Sequence, residues 1–145
     1  MIDENEVKIP IWFWIIAIFA LIWNLMGIGS FIGLMSASKD SLLAYPDVEQ
    51  ELFRGYPTWV EVVYAVATLS GVLASIALLL RQRWAKLLFG LSLVAIIIQM
   101  IYNLIAITSL EIFSPEAVIL PVFIVAAAIF YFYFSYWSIK KGWIH

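Results

Sequence analysis

The chain has 145 residues, is 65% hydrophobic and 12% charged, and carries a formal net charge of −2. Its mean hydropathy of +1.01 excludes a soluble globular domain, in which about a quarter of residues are charged. With no Cys and a single His, His145, the sequence lacks the groups for disulfides, thiol catalysis or a His-built metal centre. It is therefore expected to have no metal, no cofactor, no enzymatic activity and no nucleic-acid partner.

Taken in chain order, the first ten residues, MIDENEVKIP, are acidic. The apolar run behind them is longer than a signal-peptide core and lacks a small-residue cleavage site, so it is expected to stay as an anchor. Crossing a bilayer takes about 20 apolar residues, and four runs qualify: 11–34, 59–80, 87–108 and 117–139. They are continuous rather than alternating, which predicts helices, because lipid leaves an unpaired backbone no hydrogen-bond partner. The expectation is an all-α integral membrane four-helix bundle in one domain.

Charge placement predicts how the bundle is threaded. Lys8, Arg81, Arg83, Lys86, Lys140 and Lys141 fall on one side of the spans, and only Lys39 and Arg54 on the other. The positive-inside rule places both termini in the cytoplasm, with the protein in a bacterial inner membrane. The acids run the other way: Asp40, Asp47, Glu49, Glu51, Glu61, Glu111 and Glu116 outside, against Asp3, Glu4 and Glu6 inside. Aromatic residues settle at interfaces, so Trp12, Trp14, Trp84, Tyr56, Trp59 and the run Phe130 to Trp137 read as interfacial belts.

Local signals mark the boundaries. Pro10 suits the first turn of span one, where its missing N–H matters least. The outer loop, 36–57, holds a short amphipathic helix, 46–54, ending at Gly55. Val48 and Leu52 share its face, and it is expected to lie on the membrane surface or to cap the bundle. The short turn Arg81 to Lys86 makes spans two and three a hairpin. Ser114, Pro115 and Glu116 supply an N-cap, a proline at the first helical position and an acid for span four. Pro121 should bend or loosen that span, and Lys140, Lys141 and Gly142 stop it.

Small residues recur at the spacing that lets helix backbones approach. Gly29 and Gly33 do so in span one, and Ala67, Gly71 and Ser75 in span two. Polar residues follow helical spacing too, and polar groups in lipid tend to face a bundle interior. Span two carries Glu61, Tyr64, Thr68, Gly71 and Ser75; span three carries Ser92, Ala95, Gln99, Tyr102 and Ala106, with Asn103 beside them. Span one offers Ala17, Ala20, Asn24, Gly27 and Phe31. The candidate polar interior is therefore Asn24, Glu61, Tyr64, Thr68, Gln99, Tyr102 and Asn103. Two roles are open to Glu61: a functional acid, or the acid of a capping box formed by Thr58-Trp59-Val60-Glu61. The amides Asn24, Gln99 and Asn103 are open to interhelical hydrogen bonding or to binding a neutral polar solute.

The stretches WNLMGIG, Trp23 to Gly29, and YPTWVEVVYAVATLSGVLASIALLLRQRWAKLLFGLSLV, Tyr56 to Val94, resemble a family of small bacterial four-span proteins often labelled sugar transporters. The layout is also distantly similar to the DoxX-type four-helix proteins. The resemblance covers about two-thirds of the chain by eye. It implies a transporter of a small solute. Members often carry an acid after the Trp-Asn segment, where this chain has Gly29 and Ser30. Two functions stand side by side: a permeation or transport unit for a small neutral polar solute, working as an oligomer, and a membrane scaffold or accessory subunit that binds a protein partner through the small-residue seams. The lipid bilayer is a partner in both.

Overall fold

The structure, a computed structural model, describes residues 7–36, 39–109 and 115–145. The N-cap expected at Ser114 lies outside the described residues. So do the acids Asp3, Glu4, Glu6 and Glu111, and the side chains of Lys39, Val48, Glu49 and Glu116. The described residues form six helices and no strand: α1 Ile11–Met35, α2 Lys39–Leu42, α3 Asp47–Arg54, α4 Thr58–Leu79, α5 Ala85–Ser109 and α6 Pro115–Lys140. Four of them, α1, α4, α5 and α6, are long and apolar enough to cross a membrane. The chain is a multi-pass membrane protein, and its outward faces are covered with Ile, Leu, Val and Phe, as lipid requires.

Neighbouring spans run antiparallel, in the order α1, α4, α5, α6. Half of the most apolar stretch of α4 is buried, against 11% for α1 and α6, so α4 is a central helix and these two are flanks. Small residues decide which backbones approach. Ala67, Gly71, Ala74 and Ser75 of α4 are buried against Ala17, Ala20 and Asn24 of α1 and Ser92 and Ala95 of α5. Asn24 Nδ2 donates to the Ala20 carbonyl at 2.8 Å and to Ser75 Oγ at 3.2 Å. Ser75 donates to the Gly71 carbonyl and Ser92 to the Ala67 carbonyl, both at 2.8 Å. Of these, the Asn24–Ser75 and Ser92–Ala67 bonds run between spans, where each contributes about 0.6–2 kcal/mol.

The Gly29 and Gly33 seam does not pack this bundle. The buried stripe of α1 runs through Phe13, Ala17 and Ala20, then Asn24 and Gly27. Positions 29 and 33 sit two residues beyond Gly27 and Phe31, about 200° further round the helix. Both glycines are exposed, and a Cβ added at Gly29 would meet nothing within 4 Å.

The capping box is not formed either. Pro57 takes the N-cap of α4 with no side-chain cap bond, which leaves Thr58 as the first helical residue and places Glu61 in the first turn. An acid there still suits the positive helix end. Thr58→Ala is expected to change stability by less than about 0.5 kcal/mol, where a working cap would lose about 1. Thermal unfolding in detergent measures the difference. Pro10 likewise sits at the N-cap of α1 rather than inside its first turn. Helix α6 runs on through Pro121, which has no N–H to give to the ladder.

One end of the bundle is sealed. Trp12 and Phe13 of α1 meet Phe134 and Trp137 of α6, and Trp143 wedges between them. The run Phe130 to Trp137 is thus only partly an interfacial belt: Tyr131 and Phe134 are buried in the core, whereas Phe130 and Tyr133 face outward. Lys86 and Lys140 lie over the Tyr136 ring at 4.7 and 4.6 Å. Two similar helix stops meet here. Gly142, at φ +70°, ends α6 with Trp143 N–H donating to the Ser138 carbonyl at 3.0 Å. Arg81, at φ +60°, ends α4 with Gln82 N–H donating to the Ala77 carbonyl at 2.8 Å. Both are Schellman turns, and a glycine adopts that φ without strain whereas Arg81 does not. Residues 143–145 then fold back on the α4–α5 turn. Arg81 Nε donates to the Trp143 carbonyl at 2.8 Å, His145 N–H to the Arg81 carbonyl at 2.9 Å, and Arg83 N–H to the His145 carbonyl at 3.2 Å.

Candidate functional site

At the opposite end the four spans do not fill the space between them. A chamber of about 570 Å³ lies between α1, α4, α5 and α6. Its side walls are Met26, Gly27, Ile96, Met100, Ile107, Leu120 and Ile124, with Asn24, Tyr64, Thr68, Gln99 and Asn103 among them. Tyr45, Pro46, Leu52, Phe53 and Tyr56 roof it. The segment before α4 is therefore a cap on the bundle. Helix α3 packs on α5, Leu52 is buried, and the Gln50 amide donates to the Tyr45 carbonyl at 2.8 Å to hold the roof's bend. A chain of edge-on rings continues it: Tyr45 on Phe53, Phe53 on Tyr56, Tyr56 on Tyr102, and Tyr102 on Trp59.

Five of the seven candidate residues come together in this chamber: Asn24, Tyr64, Thr68, Gln99 and Asn103. Glu61 and Tyr102 do not line it. Glu61 lies one turn N-terminal to Tyr64, and Tyr102 hydrogen-bonds to the Gly55 carbonyl at 3.1 Å, supporting the roof. No Asp, Glu, Lys or Arg lines the chamber. Most of its polar groups are already engaged. Thr68 donates to the Tyr64 carbonyl at 3.0 Å, Asn24 is held by Ala20 and Ser75, and the Tyr56 hydroxyl donates to Asn103 Oδ1 at 2.7 Å.

Among the buried side chains of the lining, Gln99 is the exception. It is 95% buried, and among the described residues nothing hydrogen-bonds to its amide. No described side-chain N or O is both sealed off and unpartnered, so this amide opens on the chamber. An amide offers two N–H donors and a carbonyl acceptor, all uncharged.

The chain matches no family model, no curated protein and no solved structure. The roof residues Tyr45, Leu52, Phe53 and Tyr56 were the part that sequence spacing missed as a site. They lie outside the spans, and only the fold of the loop brings them over the bundle. The nearest sequence signal was the paired apolar residues of the loop helix.

What the chamber can do follows from its groups. Its lining carries amide and hydroxyl groups and no charged side chain. Its carbon walls and the buried Gln99 amide can hold a neutral molecule by burial and a few hydrogen bonds. Its volume is that of ligand pockets, about 300–1,000 Å³.

Proposed function

We propose that this chain is a non-enzymatic protein of a bacterial inner membrane, with both termini cytoplasmic, that binds a small neutral solute in the chamber as part of its permeation or transport. The carrying observation is the uncharged chamber with the buried, unpaired Gln99 amide. The orientation is supported by the basic residues Arg81, Arg83, Lys86, Lys140 and Lys141, which share the sealed end with Val7 and with residues 143–145. The resemblance to small four-span transporters supports the same reading. Transport requires more than the chamber: the packed half of the bundle, from Ala17, Ala20 and Ala74 to the aromatic plug of Trp12, Phe13, Phe134 and Trp143, would have to open.

Gln99→Leu tests the reading. A leucine removes the buried amide without breaking a bond inside the protein. Solute affinity is expected to fall about tenfold or more, the equivalent of about 1.4 kcal/mol. Thermal stability is expected to stay level or to rise by about 1–2 kcal/mol, because an unpaired buried polar group disappears. Titration of a panel of neutral polyols and alcohols against purified protein, beside an unfolding curve, reads both. Wild-type affinity in the variant would remove the proposed site.

A second reading is favoured by one observation, the outward position of Gly29 on α1, with the exposed Gly33 one turn on beside the Tyr45 hydroxyl. They leave a strip on which another helix could lie close, in a second copy or a membrane partner. Gly29→Leu would then abolish the complex seen by native mass spectrometry in mild detergent while leaving monomer stability unchanged. An intact complex excludes that strip as the contact.

A further inference from the structure

We infer that the chamber's ligand is a lipid-soluble, uncharged amphiphile that enters sideways from the bilayer between α1 and α6; this rests on the chamber being a binding site. A groove of about 410 Å³ runs along the α1–α6 seam on the lipid side, lined by Ile15, Phe19, Ala126, Ala127 and Phe130. Trp23 and Phe123 close its end, their rings edge-on at 5.6 Å. Trp23 lines the chamber as well, so one side chain stands between the groove and Gln99.

This seam is built differently from the others. Helices α1 and α4, α4 and α5, and α5 and α6 pack backbone to backbone, whereas α1 and α6 meet through rings. A side chain turning about its own bonds opens such a seam on a fast timescale, with no helix displaced. Pro121, two residues before Phe123, removes a backbone hydrogen bond from α6 at that level. Phe19, Phe123 and Phe130 are exposed and face the lipid from which the ligand would come.

The ligand's chemistry follows from the two compartments. The groove's wall is almost wholly carbon and suits a hydrocarbon tail. Among the chamber's buried side chains the Gln99 amide is the one with no bond inside the protein, so at that depth it satisfies a head with one or two hydrogen-bonding atoms. A polyol would leave most of its hydroxyls unpaired, and a charged head would meet no counter-charge. A long-chain or isoprenoid alcohol fits both compartments, with its tail along Phe19 and Phe130 and its hydroxyl at Gln99.

The test uses the full chain in phosphatidylcholine vesicles with two probes, a photoreactive diazirine analogue of farnesol and radiolabelled erythritol. The farnesol probe is expected to label groove and chamber residues, and unlabelled farnesol to compete it out. Gln99→Leu should lower that saturable labelling about tenfold. Ala126→Trp, a change at an exposed position, should fill the groove and lower it too without touching the chamber. The chain has no Cys, so Trp23→Cys with Phe123→Cys places the only two thiols at the gate. Bridging them with a cleavable bis-methanethiosulfonate should slow labelling, and reductant should restore it. Saturable erythritol binding with only unsaturable farnesol labelling overturns the inference and leaves the chamber reading standing. Saturable binding of neither probe overturns both. Farnesol labelling that ignores both the bridge and Ala126→Trp overturns the sideways route.

Discussion

Trp143→Ala is expected to destabilise the protein by about 3–5 kcal/mol, the range for truncating a large buried aromatic. Trp143 is 93% buried and touches three rings, Trp137 at 4.9 Å, Trp12 at 5.0 Å and Phe13 at 5.8 Å. Lipid does not weaken this contribution as it weakens the hydrophobic effect between spans, because the loss is one of packed contact and the void is sealed under the α4–α5 turn. The effect also spreads. The Trp143 carbonyl accepts from Arg81, and its neighbour His145 is tied to Arg81 and Arg83, so loosening Trp143 frees a turn already held at an unfavourable φ. Unfolding in mixed micelles, followed by tryptophan fluorescence, measures the change. A loss below about 1 kcal/mol would show that the folded-back segment only decorates the bundle.

Gly71→Leu is expected to separate α1 from α4 and to lower stability by about 1–3 kcal/mol or more, as overpacking of a tight core does. A Cβ built at Gly71 would overlap Asn24 Oδ1, and would come within 2.9 Å of its Cγ and 3.3 Å of Ser92 Oγ. Even Gly71→Ala forces the Asn24 side chain to swing, breaking its bond to Ser75. The double variant with Asn24→Ala tests the cause. If the Asn24 amide is what Gly71 accommodates, the second substitution restores part of the loss, a coupling of about 0.5–3 kcal/mol between neighbours. Strictly additive losses would place the strain elsewhere.

How legible the molecule was differs from residue to residue. The helix ends were close to readable, because charge and proline mark them wherever the bilayer stops. Span one was harder, since it carries two small-residue patterns, Ala17-Ala20-Asn24-Gly27 and Gly29-Gly33, about 200° apart on one helix. Only one can face α4, and sequence spacing does not choose between them. Asn24 and Ser75 choose, because their hydrogen bond needs the first pattern inward. Glu61 was singled out as an acid at the edge of a span, but its place one turn from Tyr64 leaves it off the chamber wall. The capping box failed on a one-residue shift: with Pro57 extended at ψ 154°, the helix begins at Thr58 itself. Gln99 was visible as a mid-span amide. That its amide is unpaired depends on which neighbours the other helices bring, and no spacing encodes that.

The sequence by itself determined the solvent, the number of spans, the chemistry of the interior and the side on which the basic residues lie. Each follows from composition along one dimension, because about 20 apolar residues with few charges have no other stable place than a bilayer. Only the tertiary structure decided which face of each helix is inside, which half of the bundle is filled, and how residues 143–145 and the roof over the chamber fold back. The reason is that lipid is as apolar as the core. In water a helix shows its buried side by the contrast between apolar and polar faces, and a bilayer removes that contrast. What remains to orient the helices is the fit of small residues, a few hydrogen bonds and the bulk of the rings, and these take effect only when the helices meet.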